Sequence, residues 1–429
     1  MTLSTSTSAR HSTPLSPQGG VWLIGLVAVA GFGPYVAGPL RTDQIVVYGG
    51  LLLFPLLAGR HRPAGWQIGT ISMWAVFVLL AVISWATVPA YQREGAIAMA
   101  DNLLLPLAVA VLTVIAVGPE HRDKALRVVS WVAVTGMSIN AVVAFAQIVQ
   151  GETSLNLGRW SVATEETTAE RAAQLGRFSG LISQPALAGT MYAVAILCAI
   201  FVMRHRPATL TLVMGLLVAG GAVTVSKFFI FAALPIVAIV YLVTVGRRHP
   251  YIALVAAACV GFVMWFREDL IVYAYETFPT WDGVARLDQI LNSSLTVSQL
   301  TGNRFGDEGV VGDHLATVMA QSPALGFGLG GGDFPIDSTL IFALALGGVV
   351  GVAILVVVHG ILWAWLVSAW SGLPHSERWF ALGLIAAVTA SAVGYPILIG
   401  DRLAVLLWPL LMLLMAPRPD ITDAVAVTR

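Results

Sequence analysis

Five of the basic residues in this sequence are candidates to bind a diphosphate, although each alone is also compatible with a solvated or headgroup-facing charge. Arginine presents a planar fork of N–H donors that matches phosphate oxygens, and it stays charged at physiological pH. Three of the five lie in two long polar segments, residues 151–185 and 267–339, and the other two lie at predicted helix ends. Gathered at a lipid boundary, they would form a site for a lipid-linked diphosphate. The five are Arg177, Lys227, Arg286, Arg304 and Arg402.

The second polar segment also carries side chains that could transfer a proton. His314 lies in residues 309–321, whose apolar residues recur at helical spacing, so we predict an amphipathic helix there. His314 is then either a general base or a boundary residue that only packs. Asp337 is a second candidate base, or alternatively the N-cap of the following helix. Glu308 is a third candidate for the same role.

A run of glycines lies between His314 and Asp337. Because no Gly-Lys-Ser follows it, the run is not a phosphate-binding P-loop. Glycine has no Cβ, so we expect a tight loop in which one stretch of backbone closely approaches another. The glycines are Gly326, Gly328, Gly330, Gly331 and Gly332.

The composition indicates a chain whose main solvent is lipid. Of 429 residues, 57% are hydrophobic and 11% are charged, whereas a soluble globular protein carries about 25% charged residues. The formal net charge is +0, which gives no reason to expect nucleic acid as a partner. Cys198 and Cys259 each lie inside an apolar run, so we expect no disulfide, no metal site and no cofactor.

Long apolar runs predict the fold class. A run of about 17–25 apolar residues can cross the hydrocarbon as a helix. These runs lack the period of two that barrel strands need, so we predict an all-α polytopic integral membrane protein. Pro34 is predicted to kink the first span and Pro235 the eighth. The twelve predicted spans are residues 20–40, 43–59, 68–90, 103–118, 126–150, 186–203, 208–225, 227–246, 251–266, 340–367, 380–399 and 403–417.

Basic residues in the short loops predict the orientation, because they accumulate on the cytoplasmic side. With the N-terminus inside, the cytoplasmic loops hold eleven basic residues and the short outer loops hold four. This orientation predicts a disordered cytoplasmic tail at residues 1–19 and a cytoplasmic tail at 418–429, on either side of a transmembrane domain at 20–417. An extracytoplasmic loop, 267–339, is inserted in that domain and contains short amphipathic helices.

The predicted spans contain few ionisable groups, and His359 is the clear exception. Ion-coupled transporters place such groups inside the membrane, where they form the ion pathway. The sequence therefore disfavours a pump or a proton-coupled carrier, but it leaves a lipid flippase open. Nucleotide sugars and ATP are cytoplasmic, so a group transfer at the outer face needs an activated donor that has already crossed. A polyprenyl diphosphate glycan meets that need.

Four local segments carry a resemblance to a known family. They are RFSGLISQPALAGT (177–190), TVSKFF (224–229), SPALGFGLG (322–330) and DSTLIFALALGGVVG (337–351). In their order, sidedness and spacing they resemble the O-antigen ligase/polymerase superfamily of bacterial envelope glycosyltransferases, over about residues 20–415. The family has a Ser-Arg pair at the start of an outer helix, and here Lys227 replaces that arginine.

The resemblance implies a metal-independent transfer of glycan from an undecaprenyl diphosphate donor at the outer face of the bacterial cytoplasmic membrane. In such ligases outer arginines bind the diphosphate, and a loop histidine activates the acceptor hydroxyl. Asp337 stands where ligases usually carry that histidine, which looks more like the polymerases that join repeat units. We therefore expect an inverting repeat-unit polymerase whose partners are the lipid-linked donor, an acceptor glycan or lipid, and membrane lipids. The alternatives are a ligase with a lipid or other envelope acceptor, a lipid-linked-glycan flippase, and a non-catalytic scaffold.

Overall fold

Helices make up most of the chain in the computed structural model. Long apolar runs form helices because a helix satisfies its own backbone groups, as lipid requires. The described residues are 17–38, 40–53, 62–88, 96–151, 160, 168–182, 184–247, 250–251, 265–277, 281–292, 310–333, 338–392, 395–399 and 401–418. The α-helices are α1 Pro17–Ala30, α2 Thr42–Leu52, α3 Gly65–Thr87, α4 Ala96–Ala116, α5 Arg122–Gln150, α6 Thr168–Gln174, α7 Pro185–Met203, α8 Pro207–Val223, α9 Leu234–Tyr241, α10 Arg267–Thr277, α11 Gly283–Asn292, α12 Val310–Gln321, α13 Thr339–Ala369, α14 His375–Ser391 and α15 Asp401–Met415.

Six helical stretches among the described residues are long and apolar enough to cross a membrane. The protein is thus a membrane-embedded, all-α protein, whereas the full set of twelve spans stays a prediction. Shorter apolar helices are Gln18–Ala30, Pro207–Val223 and Arg402–Met415. The six long stretches are Gly65–Thr87, Ala96–Ala116, Pro119–Gln150, Pro185–Met203, Phe229–Gly246 and Thr339–Ala369.

The first predicted span ends earlier than expected. Helix α1 ends at Ala30, and a small antiparallel hairpin follows, made of β1 (Tyr35–Ala37) and β2 (Leu40–Arg41). Pro34 lies between helix and hairpin, so the predicted kink there is wrong. Two glycines and this proline fall within residues 31–34, and their low helix propensity accounts for the early end.

Pro235 has a different setting. It is the second residue of α9, inside the continuous helical stretch Phe229–Gly246, so its missing N–H removes a bond from the helical ladder. A π-helical turn, Phe229–Ala233, comes directly before α9, and a second one, Leu242–Gly246, follows it. The local change of helix type therefore coincides with the proline, as expected for a point where the regular hydrogen-bond ladder is interrupted.

The fourth predicted span begins earlier than expected, at Ala96 instead of residue 103, so α4 includes a carboxylate. Asp101 accepts a hydrogen bond from Tyr48 Oη at 2.7 Å and another from Gln44 Nε2. Its Oδ2 lies 3.8 Å from Arg41 Nη2. A charged group inside a helix bundle needs such partners, and they come from α2 and the hairpin.

Two further span ends differ by seven residues or more. Helix α2 ends at Leu52, seven residues before the end of the predicted span 43–59. Helix α14 begins five residues before the predicted span 380–399 and ends eight residues before its end. Helix α1 begins at Pro17, inside the predicted N-terminal tail. The predicted span 251–266 falls almost entirely outside the described residues.

Two helices form the centre of the bundle. Nearly every residue of α7 is buried, and so is every residue of α15 from Arg402 to Met415. Helices that are apolar on all sides belong inside a bundle. Helix α7 packs on α5, α8 and α14, and α15 packs on α4 and α5. Outer helices such as α3 expose large apolar side chains, including Leu79, Val82 and Ile83, which form a surface suited to lipid.

A buried ion-pair network joins three helices at one end of the bundle. Arg122, at the start of α5, donates from Nη2 to Glu377 Oε2 of α14 at 2.9 Å. Its Nε donates to the carbonyl of Leu413, in the last turn of α15, at 2.8 Å. Arg418 Nη2 donates to the other oxygen of Glu377 at 2.5 Å. Because helix C-terminal carbonyls carry partial negative charge, Arg122 stabilises the end of α15 as well as pairing with Glu377.

The glycine-rich run enters the bundle and hydrogen-bonds to a broken helix. We call residues 322–333 the glycine segment; it ends in a 3-10 turn, Gly328–Asp333. Helix α13 is interrupted at Gly348, whose φ is 59°. There the N–H of Val349 donates to the carbonyl of Pro323 at 2.9 Å. Gly348 is nine residues into α13, about 14 Å along its axis, so the glycine segment reaches past the first two turns of that helix.

Close backbone contacts confirm the expected tight loop. The N–H of Phe327 donates to the carbonyl of Ala345 in α13 at 2.7 Å. A Cβ added to Gly328 would lie 2.1 Å from the backbone nitrogen of Trp85 in α3, closer than any side chain tolerates. The glycine segment therefore packs its main chain directly against α3 and α13, and only glycine permits that approach.

Replacing Gly348 by alanine is expected to lower the unfolding temperature in detergent by several degrees. The new Cβ would lie 2.3 Å from the carbonyl carbon of Ala324, and the positive φ adds strain of about 1–3 kcal/mol. Gly360→Ala, in the same helix, is the control, because nothing lies within 4 Å of its added Cβ. Equal unfolding temperatures for the two variants would show that the glycine segment does not contact Gly348.

Candidate functional site

A seven-residue loop carries Arg177, and two buried amides of α5 hold its backbone. We call residues 176–182 the Arg177 loop. Asn140 accepts a hydrogen bond from one loop N–H at 2.7 Å and donates to a loop carbonyl at 3.1 Å. Gln147 likewise accepts from a loop N–H at 3.0 Å and donates to a loop carbonyl at 3.4 Å. Their exposures are 0% and 2%, and a satisfied polar network at such depth makes the loop a rigid support.

The other side of the Arg177 loop contacts the end of α8. Arg177 Nε donates to the carbonyl of Thr224 at 3.2 Å. The next residue, Val225, has a φ of 48°, where a β-branched side chain is a strained outlier. Lys227 begins the following helix two residues later. Strain of this kind costs about 1–3 kcal/mol and concentrates at ligand sites, which makes this turn a candidate binding element.

Arg402 holds the Arg177 loop from a third side. Its Nη1 donates to the carbonyl of Leu181 in the loop at 3.2 Å, and its Nη2 donates to the carbonyl of Trp160 at 3.1 Å. The guanidinium also lies over the ring of Tyr35, 5.5 Å from the centroid. With 2% exposure, Arg402 braces three chain segments. Its predicted diphosphate contact stays a prediction.

Tyr395 connects this region to the start of α13. Its hydroxyl donates to Gln184 Oε1, two residues beyond the Arg177 loop, at 3.1 Å. Its carbonyl accepts a hydrogen bond from Thr339 Oγ1 at 2.9 Å. Ser338 is buried beside Thr339, and Asp337 precedes it in the sequence. The first residues of α13 therefore lie one tyrosine side chain away from the loop that carries Arg177.

The predicted site residues fall into three groups. The structure brings Arg177, Arg402 and the turn that leads into Lys227 to one loop. Arg286 lies in α11, whose first residue contacts the same loop at Gly176. His314 lies in α12, which confirms the predicted helix and packs on α13. The remaining predicted residues lie outside the described part of the chain, and they are Arg304, Glu308 and Asp337.

The four segments behind the family resemblance meet in two pairs. Residues 177–190 contact residues 224–229 through the Arg177 hydrogen bond. Residues 322–330 contact residues 337–351 through the backbone of the glycine segment. The hydrogen bond in the first pair joins residues 47 positions apart in sequence, so these two segments form one structural unit.

Asn140 and Gln147 are the supports that the sequence analysis did not use for the site. They lie seven residues apart in an otherwise mostly apolar helix, so they share one face. Their seven-residue spacing is the feature of the sequence that could have identified them as a pair of buried polar supports. Chemically, the arrangement offers fixed positive charge beside rigid backbone, which suits an anion rather than a neutral ligand. In the described part of the chain, no three His, Cys, Asp or Glu side chains gather where a metal ion could bind.

Comparison with known proteins assigns no class to the chain. No protein-family model matches it, and no curated protein matches it. A proposal for its function must therefore rest on the geometry of the Arg177 loop and its neighbours.

Proposed function

We propose that this protein joins glycan units at the outer face of a bacterial cytoplasmic membrane, as a polysaccharide repeat-unit polymerase. The donor is a glycan linked to undecaprenyl diphosphate, and the acceptor is a sugar hydroxyl of a second glycan. One observation carries the proposal: Arg177 and Arg402 both bind the backbone around one loop, and Arg177 contacts the turn that leads into Lys227. This loop lies between the end of α5 and the starts of α7 and α15, and in the proposal it binds the diphosphate of a lipid dissolved in the membrane.

The proposed reaction is a single inverting displacement. The acceptor hydroxyl oxygen attacks the anomeric carbon, and its proton passes to a base. The new glycosidic C–O bond forms while the C–O bond to the diphosphate breaks, and undecaprenyl diphosphate leaves with the electron pair. Arg177 and Lys227 stabilise the growing negative charge, for which one well-aimed donor contributes about 3–4 kcal/mol in other enzymes. Arg286 and Arg304 add positive charge from the predicted extracytoplasmic loop, residues 267–339, which we call the outer segment.

The base in this proposal is Asp337 or His314, and Glu308 is the third candidate. General bases typically accelerate such steps by about 10²–10⁴-fold. The link through Tyr395 favours Asp337, because the residues that follow it in the chain are fixed next to the Arg177 loop. An acidic residue at this position also favours the polymerase over a ligase with a lipid or other envelope acceptor.

The proposed orientation puts both termini in the cytoplasm. Helix α15 runs from Arg402 at one end of the bundle to the carbonyls bound by Arg122 at the other. The predicted cytoplasmic loops, which include Arg122 and Arg418, hold eleven basic residues against four in the short outer loops. By the positive-inside rule, the Arg122 end then faces the cytoplasm and the Arg177 loop faces outward.

Reconstitution tests the proposal against the flippase alternative. The purified protein is placed in liposomes with an oligosaccharide linked to undecaprenyl diphosphate. We expect longer glycan and one released undecaprenyl diphosphate for each new bond. Movement of the donor across the bilayer without bond formation would instead identify a flippase. Transfer of one unit to a non-sugar acceptor, without chain growth, would identify a ligase.

A further inference from the structure

The outer segment contacts the Arg177 loop through a tryptophan and a pair of glycines. Trp281 Nε1 donates to the carbonyl of Gly176 at 2.6 Å, across 105 positions of sequence. A Cβ on Gly176 would lie 1.9 Å from the backbone nitrogen of Gly283, and a Cβ on Gly283 would lie 2.3 Å from the carbonyl oxygen of Gly176. The two backbones therefore touch, and neither position accommodates a side chain.

This contact fixes the start of α11 beside the cation of the loop. Gly176 directly precedes Arg177, and its φ of 69° favours glycine independently of the contact. Val284, the second residue of α11, is 1% exposed. Arg286 follows three positions after Gly283, about one turn into the helix. Arg177 and Arg286 therefore lie one and three positions, respectively, after the two glycines whose backbones are in contact.

The preceding helix, α10, is much less buried in the part of the chain that the structure describes. The described side chains of α10 are exposed or half-buried, and Val272 and Tyr273 are among the most exposed. Trp265, just before α10, is 84% exposed. Among the described residues of this segment, Trp281 and Gly283 make the close contact with the Arg177 loop.

We infer that Trp281 and Gly283 form a latch that holds the outer segment on the Arg177 loop, so that Arg286 contacts the same anion as Arg177. Trp281 is a positioning residue in this scheme, and Arg286 is the group that touches the ligand. The inference rests on the proposed function only for the identity of the anion, a lipid-linked diphosphate. One neutral hydrogen bond shifts an equilibrium about fivefold, so the latch can open for substrate exchange.

Binding of undecaprenyl diphosphate to the full-length protein in lipid nanodiscs tests the latch. Trp281→Phe keeps an aromatic side chain but removes the indole N–H donor, and we expect it to weaken binding about fivefold. Arg286→Ala should weaken binding at least as much. Because the latch acts through Arg286, the double variant should bind no more weakly than Arg286→Ala alone. Trp265→Phe is the matched control, and its affinity should equal that of the wild type.

Hydrogen exchange supplies a second measurement that is independent of binding. Amides of residues 283–292 should lose protection in Trp281→Phe and keep it in Trp265→Phe. Unchanged affinity and unchanged protection in Trp281→Phe would overturn the inference, and so would losses that add in the double variant. If the wild type bound no diphosphate, the proposed function would fail. The exchange result would then still decide whether the latch exists.

Discussion

Arg177→Ala is expected to lower the rate of glycan transfer by about 10²–10³-fold, the usual loss when one preorganised donor to a developing charge is removed. The reason is that Arg177 is fixed beside the Lys227 turn by its bond to the Thr224 carbonyl, so its charge is aimed before substrate arrives. The measurement is the rate of glycan elongation on undecaprenyl diphosphate in proteoliposomes. The transfer rate of Arg177→Lys should lie between those of the wild type and Arg177→Ala, because lysine keeps the charge but lacks the forked guanidinium donors.

The control for this prediction is another arginine of the same segment. Arg171 lies six positions earlier, in α6, and its side chain is exposed. Arg171→Ala should transfer glycan at the wild-type rate. Both variants should show wild-type yield and unfolding temperature, since the loop backbone is held by Asn140 and Gln147. A rate for Arg177→Ala within a few-fold of that for Arg171→Ala would rule Arg177 out as a diphosphate ligand.

Arg122→Ala is expected to destabilise the protein by about 3 kcal/mol, the lower end of the typical cost of removing one member of a buried ion pair, because Arg418 remains beside Glu377. Glu377 is 6% exposed, and the Leu413 carbonyl also loses its donor. Arg418 still contacts Glu377, but it has no described bond to the end of α15. The measurement is the denaturant or thermal midpoint of the purified protein in detergent, together with the yield of monodisperse protein.

A neighbouring carboxylate separates this effect from a general loss of charge. Asp123 also contacts Arg122, at 2.6 Å, but 58% of its side chain is exposed. Asp123→Ala should cost less than about 1 kcal/mol, as exposed ion pairs do. Replacing Arg122 and Glu377 together by methionine should recover much of the loss. Similar midpoints for Arg122→Ala and Asp123→Ala would contradict the assigned role of the network.

Local sequence information was sufficient for the class of fold and for the long helices. The apolar run 340–367 predicted α13 within two residues at each end, because a span is set by the length of the run itself. Helix α12 was predicted from the helical spacing of the apolar residues in 309–321, which is also a local property of the sequence. The composition alone already indicated a membrane protein.

Non-local partners explain where the sequence analysis fell short. The predicted span 103–118 left Asp101 outside its helix, whereas in the structure Tyr48, 53 positions away, donates a hydrogen bond to this carboxylate. The first span was extended over Pro34 because its apolar content hid the hairpin that follows. Hydrophobicity predicts that a segment is buried, but it carries no information about which distant polar group it meets.

The candidate site was likewise predictable from the sequence only in its residue types, and not in its contacts. The charge and spacing of Arg177, Lys227 and Arg402 were readable from the chain. That Arg402 donates to Leu181, 221 positions away, was not, and this bond gives it a bracing role that residue type alone does not reveal. Likewise Asn140 was visible as a polar residue in an apolar helix, but its partner loop was not.

Binding of undecaprenyl diphosphate is the most direct test of the idea that these cations hold a lipid-linked diphosphate. The protein in nanodiscs is titrated with the lipid, and the wild type is compared with the double variant Arg177→Ala/Lys227→Ala. Arg62→Ala is the control, an exposed arginine in a predicted cytoplasmic loop. Losing two charge-assisted contacts should weaken binding by about 100-fold or more, while the control keeps the wild-type affinity. Equal affinities for the double variant and the control would contradict the account.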